Sequence, residues 1–323
     1  MEETFDHLDA SVDPRTFEKQ FFQLDYIIAD KNFKTETELN DFLEEVFAHQ
    51  EHWDDFISNH KRTNRETAQE ILYDAFGASE PKEKINLARK AISFYPNSPD
   101  AYVILAEEHA TSLKDALKYY TKGVDAGRMD IPATAFKEFR GKFYYMTSYR
   151  PFLRALAGLA VANWEAGNAE KGNQLAAELL ELDSEDFIGI RMEYLINLLG
   201  SSAIDDAVKL IKMFPDDENY LWRLCKTFIH FIKHGATPKG VNVLKGVIKT
   251  NPFVGIIIIA SIADHSLQKY LEIDDELLEE TMLDMEDFLS AIEDYNEVTT
   301  AFISEVLLLK DFTLKQLNKI HKD

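Results

Sequence analysis

The chain has 323 residues, with 35 Lys+Arg against 57 Asp+Glu and a formal net charge of −22. A surface this acidic repels phosphate backbones and anionic lipid headgroups, which argues against sequence-independent nucleic-acid binding and polybasic membrane docking. A hydrophobic fraction of 46% can bury a real core, while only 13 Gly and 9 Pro leave few turn-forming residues, so helices rather than sandwiches or barrels are expected.

The acidity is segmented. Residues 1–80 hold 7 basic and 20 acidic residues, residues 81–252 hold 23 and 21, and residues 253–323 hold 5 and 16. This composition shift predicts an acidic N-terminal helical region, a near-neutral middle and an acidic C-terminal cap. The start, MEETFDHLDASVD, is acidic where an export signal would be basic and then apolar, so a soluble, cytoplasmic protein is expected. Within residues 1–80, PRTFEKQFFQLDYIIAD, TETELNDFLEEVFAHQEHWDDFISNH and RETAQEILYDAF read as helices. Thr35 before Glu38 forms a capping-box pattern, and Leu39, Phe42, Leu43, Val46 and Phe47 make an apolar stripe.

From Pro81 the pattern becomes repetitive. A helix from Pro81 to Tyr95 is followed by one starting at Ser98-Pro99-Asp100 that carries Tyr102, Leu105, Ala106 and His109 on one face, then by one with Ala116, Tyr120 and Gly123. A second copy uses Leu156, Leu159, Ala160 and Asn163, a turn at Gly167-Asn168, then Gly172, Ala176 and Leu179. Ala207, Ile211 and Phe214 mark a third copy, and Leu224, Phe228, Phe231, Gly240, Leu244 and Val247 a fourth. Equivalent positions at Ala91, Gly123, Leu179, Phe214 and Val247 are separated by 32, 56, 35 and 33 residues. Three of these steps match the roughly 34-residue tetratricopeptide period, and the long one adds about 22 residues. Small residues at these slots let neighbouring helices approach closely.

The extra length falls at residues 126–150, AGRMDIPATAFKEFRGKFYYMTSYR, where Arg128, Lys137, Arg140, Lys142 and Arg150 face only Asp130 and Glu138. Phe136, Phe139 and Phe143 have the spacing of one helical face. One reading is an aromatic, cationic lip for an acidic or C-terminal peptide, formed by Arg140, Lys142, Tyr145, Tyr149 and Arg150. The other is that the aromatic residues pack on the repeats and the basic ones pair with the acidic N-terminal region. After the repeats, the apolar run Phe253–Ala263 is shorter than the roughly 20 residues a spanning helix needs. The amphipathic, acidic helices from Asp274 then read as a polar cap or, alternatively, as a surface for a basic partner.

The segments AYVILAEEHATSLKDALKYYTKGVDAG, YRPFLRALAGLAVANWEAGN and TNPFV resemble the tetratricopeptide proteins related to the suppressor of tumorigenicity family, over roughly Pro81 to Val254. The resemblance implies a right-handed α-α superhelix with extra helices at both ends and no catalytic residues. In such solenoids the first helix of each pair lines a concave groove, which places Glu107, Arg154, Trp164, Arg191 and Tyr194 there. Arg154 and Arg191 are the candidates to anchor a ligand carboxylate, unless they are ordinary salt-bridged arginines.

Catalytic and metal motifs are not evident: the sequence has no HExxH helix, no Gly-rich phosphate loop and a single cysteine, Cys225, in an apolar setting that suits a buried side chain. His49 and His52 with Glu51, Asp54 and Asp55, and the pair His230 and His234, are groupings that arise readily in helices, so neither a metal nor another cofactor is expected. The expected function is a non-catalytic scaffold or adaptor for a protein or peptide. A peptide-responsive regulator and a metal-dependent hydrolase are the alternatives. Partner identity and oligomeric state are not encoded in any feature above.

Overall fold

A computed structural model describes residues 13–31, 33–49, 53, 57, 60–262, 265–272 and 275–320. Every regular element among them is helical: α1 (Glu18–Lys31), α2 (Glu36–Ala48), α3 (Asn64–Gly77), α4 (Pro81–Phe94), α5 (Pro99–Glu108), α6 (Leu113–Asp130), α7 (Ala135–Glu138), α8 (Arg150–Glu165), α9 (Ala169–Leu182), α10 (Arg191–Gly200), α11 (Ile204–Met213), α12 (Tyr220–His234), α13 (Pro238–Thr250), α14 (Phe253–Ile262), α15 (Glu276–Ile292), α16 (Glu297–Leu308) and α17 (Lys310–Ile320), with short 3-10 turns such as Pro14–Phe17 ahead of α1. Two compact units divide between Ile190 and Arg191. The charge pattern treats residues 81–252 as one segment, but charge resides on surfaces and the units follow buried packing, so the two divisions fall at different places.

In the first unit the helices pair in succession, α3 with α4, α5 with α6 and α8 with α9. Chain punctuation sets their ends. Pro81, Pro99 and Pro151 lie in the first turns of α4, α5 and α8, where a missing N–H costs nothing. Gly167 turns the chain from α8 into α9 with φ +75°, a region that favours glycine. The Thr35 hydroxyl accepts from Glu38 N, although the Glu38 carboxylate reaches Lys34 N rather than Thr35. The complete reciprocal box is at α3, between Thr63 and Glu66, which the sequence reading passed over.

Close approach accounts for the small residues. A Cβ on Gly123 would stand 3.1 Å from Ala155 Cβ, and one on Gly127 2.4 Å from the Phe152 ring. Equivalent atoms on Gly158 and Gly172 would meet the rings of Tyr120 at 2.2 Å and Trp164 at 2.3 Å. The core joins α1 and α2 to the pairs: Phe22, Tyr26 and Ile27 pack with Phe42, Val46, Leu72, Tyr73 and Phe76.

In the second unit α12 and α13 pack together, as do α10 and α11, and α15–α17 pack on α14. Val254, Ile256, Ile258 and Ile259 of α14 are fully buried, which explains this helix's lack of a polar face. Asn251 fixes its entry: the side-chain oxygen accepts from Phe253 N at 3.1 Å and its Nδ2 donates to Thr281 Oγ1 at 2.8 Å. Phe228 is ringed edge-on by Phe288, Tyr295 and Phe302. Cys225 is fully buried, which pushes its thiol pKa up and suits the apolar role read from the sequence. The indole N–H of Trp222 is buried without a partner among the described residues. No single helix among the described residues is long and apolar enough to cross a membrane; α13 and α14 would pass together by composition but meet at 105°.

Candidate binding surface

Of the five residues assigned to a groove, Glu107 sits on α5 and Arg154 and Trp164 on α8, and Glu107 and Arg154 are already engaged by residues 13–31 of the same chain. Arg154 is nearly buried, its side chain 10% exposed. Its Nε and Nη2 fork Asp100 at 2.9 and 2.7 Å, while Nη1 meets both oxygens of Glu18 at 3.0 and 2.8 Å. Asp100 is fully buried in the first turn of α5 and accepts a further bond from Gln69 Nε2 at 2.8 Å. Burial opposes the charge on Arg154, but Asp100 and Glu18 outweigh it, and the guanidinium pKa rises well above its ordinary value. Arg154 is thus the centre of a satisfied internal ion cluster rather than a free anchor for a carboxylate.

A second link lies close by in sequence. Arg15 joins Asp13 at 2.6 Å and Glu107 at 3.1 Å, and its guanidinium lies 3.9 Å over the Phe76 ring. Burial dominates at Glu107 and raises its carboxyl pKa despite the pull of Arg15. The segment is fastened further along α1 as well. Tyr26 OH donates to Glu70 Oε1 at 2.5 Å, and the ring of Tyr26 stacks on His60 with centroids 4.2 Å apart. His60 contacts Glu66 at 3.0 Å through Nε2 and Asp30 through Nδ1. Desolvation disfavours the imidazolium, yet the two carboxylates prevail and raise its pKa.

The remaining expected residues are also engaged. Trp164 Nε1 donates to Asn173 Oδ1 at 3.0 Å. In the second unit Arg191 Nε donates to Asp217 Oδ2 at 2.9 Å with its guanidinium over Phe214, and Tyr194 is buried.

The insertion is not a free-standing lip. Its helix is a single turn, α7, that stops at Glu138 ahead of a turn through Gly141 with φ +78°, so Phe136, Phe139 and Phe143 do not form the continuous helical face that their spacing suggests. They nonetheless gather inward: Phe143 is fully buried, Phe136 packs edge-on to Phe152, and Phe139 packs on Tyr149. The basic residues pair mainly with α9, Arg128 with Glu178 and Arg140 with Glu181, rather than with the acidic N-terminal region. Arg150 is the exception, donating to Tyr144 O at 2.7 Å and lying 3.5 Å from Glu18. Tyr145 donates to Glu185 at 3.2 Å, and Lys142 is exposed, bridged through its backbone to Asp183.

Among the described residues no group of three His, Cys, Asp or Glu is placed to hold a metal. His52, Glu51, Asp54 and Asp55 lie outside the described residues. His230 Nε2 is engaged by Thr237 Oγ1 at 2.7 Å, and burial, with His234 and Lys239, lowers its pKa.

Sequence reasoning missed Glu18, Asp100, Arg15 and Gln69. Asp100 follows Pro99 at a helix start, where an acidic residue is expected for the helix dipole alone, and nothing local ties Glu18 to an arginine 136 positions away. Comparison with known proteins finds no match among curated proteins. Residues 30–136, about a third of the chain, match the family model described as ST7 protein; this supports the suppressor of tumorigenicity resemblance, but over a stretch that begins and ends earlier than Pro81–Val254.

Proposed function

We propose that the chain is a non-catalytic protein- or peptide-binding scaffold, a right-handed superhelix of tetratricopeptide-like pairs whose α5 and α8 faces receive a polypeptide segment. The observation that carries this reading is the engagement of residues 13–31: Glu18 is received by Arg154 and Arg15 by Glu107, the charge-assisted recognition a helical groove would use on an external ligand. In this reading the segment occupies the surface in cis. That occupancy favours, as a second reading, a regulator whose surface is uncovered when a competing peptide displaces the segment.

The test is affinity capture from the native cell with the wild-type chain and with Glu18→Arg combined with Arg15→Glu, which repels the segment from Arg154 and Glu107. A scaffold predicts a partner enriched by the double variant whose footprint in hydrogen exchange covers α5 and α8. If footprints of all captured proteins lie elsewhere, the α5 and α8 surface is not the binding face.

A further inference from the structure

A separate surface is formed by α1, α2 and Trp53. Phe21 and Leu24 of α1, Val46 and Phe47 of α2, and the Trp53 ring, with Gln20, line an open cavity of about 100 Å³. Phe21 and Phe47 are each 57% exposed, and Phe17, one turn before Phe21, is 42% exposed. Three large exposed aromatic residues so placed form an apolar patch that a folded chain rarely leaves open without use. The walls are firm: Val46 is 1% exposed, and Trp53 Nε1 is anchored to Gln23 Oε1 at 2.8 Å. Helical spacing puts Glu36, Leu43 and Phe47 on one face of α2 with Glu44 at its edge, whereas Glu45 falls on the far side. None of Glu36, Asp41, Glu44 and Glu45 is ion-paired among the described residues, unlike the acids that surround Arg154.

We infer that this patch docks a basic amphipathic helix of a partner protein, with a bulky apolar side chain seated between Phe21, Phe47 and Trp53 and Lys or Arg side chains facing Glu36 and Glu44. Charge selects this occupant over the two available from the chain itself. Residues 1–12 carry Glu2, Glu3, Asp6 and Asp9 and no Lys or Arg, so like charges oppose their entry. A second copy docking through the same face would bring the acidic rims of α2 together, with the same penalty. This surface is distinct from the α5 and α8 face, so the two proposals can fail independently.

The experiment uses the full chain and a fluorescent amphipathic peptide of Leu, Phe and Lys, with a Glu-for-Lys version and a scrambled version as controls. The Lys peptide is expected to bind, the Glu peptide not, and the scrambled peptide at least tenfold more weakly. Phe21→Ala and Phe47→Ala, both at exposed positions, are expected to weaken binding about tenfold each, in line with loss of an aromatic anchor. Glu36→Lys with Glu44→Lys should reverse the preference to the Glu peptide. Because the whole chain is acidic, Glu276→Lys with Glu279→Lys on α15 is the charge control and must leave binding unchanged. The inference is overturned if the α15 control lowers binding as much as the α2 pair, or if neither peptide binds. Removal of residues 1–12 that raises Lys-peptide affinity would instead identify a cis occupant. A concentration-dependent dimer abolished by Phe47→Ala would identify a second copy. Either of these results overturns the commitment to a basic partner.

Discussion

Replacing Arg154 by Leu strands two carboxylates in the interior. Asp100, fully buried, keeps only Gln69 as a partner, and Glu18 keeps Arg150 at 3.5 Å and the Tyr73 hydroxyl at 3.5 Å. Breaking a buried ion pair by removing one partner costs about 3–5 kcal/mol, and here one cation serves two acids, so the upper part of that range is expected. Domains of this kind are stable by only about 5–15 kcal/mol, so the first unit of Arg154→Leu should sit close to its unfolding threshold. Hydrogen exchange of the α5 and α8 amides reads the loss directly and avoids treating a two-unit chain as one transition. Arg154→Leu combined with Asp100→Asn and Glu18→Gln removes the stranded charges and should recover most of the loss. A loss below about 1 kcal/mol, the magnitude of a surface pair, would refute the cluster's buried character, as would a triple variant no more stable than the single one.

Gly127→Ala pushes a methyl into Phe152, which is 1% exposed and cannot swing away, so an overpacking cost of about 1–3 kcal/mol should exceed the gain of about 1 kcal/mol in helix propensity. Gly172→Ala meets the half-buried Trp164 ring and should cost less; urea midpoints of the two variants decide the order. Thr63→Ala removes the α3 capping box and should cost about 1 kcal/mol, seen as faster exchange in the first turn of α3. His60 has a raised folded-state pKa, so its contribution is fully present below the ordinary value of 6.5 and is lost as pH rises through the folded value. Denaturation midpoints should therefore fall as pH rises above about 6.5 in the wild type and flatten in His60→Gln; an unchanged profile would remove the Asp30–His60–Glu66 link as a source of stability.

The helix pairs were legible because their determinants are local: Pro at first turns, Gly167 at a hairpin, and Gly123 and Gly172 where another helix must approach. The insertion was legible in part. Its aromatic residues are gathered inward, but Phe spacing alone could not show that the helix stops at Glu138, before Phe139 and Phe143. The ion cluster was not legible, since Glu18, Asp100 and Arg154 are brought together only by tertiary packing, and an arginine on the expected face looks the same whether it awaits a ligand or already holds two carboxylates. The division at Ile190–Arg191 follows a turn through Asp186 and Gly189, but such a turn looks like those between paired helices, so it did not reveal a boundary between units.

The three tryptophans give the molecule built-in optical probes. Trp53 and Trp164 belong to the first unit and each indole N–H is hydrogen-bonded, whereas Trp222 is the one tryptophan of the second, its N–H buried without a partner among the described residues. Emission from Trp222 should lie toward the blue and disappear with the second unit's melting, so one fluorescence scan can separate the two units by colour. Trp222→Phe would silence that channel, and the relief of an unanswered buried donor offsets part of the lost packing volume.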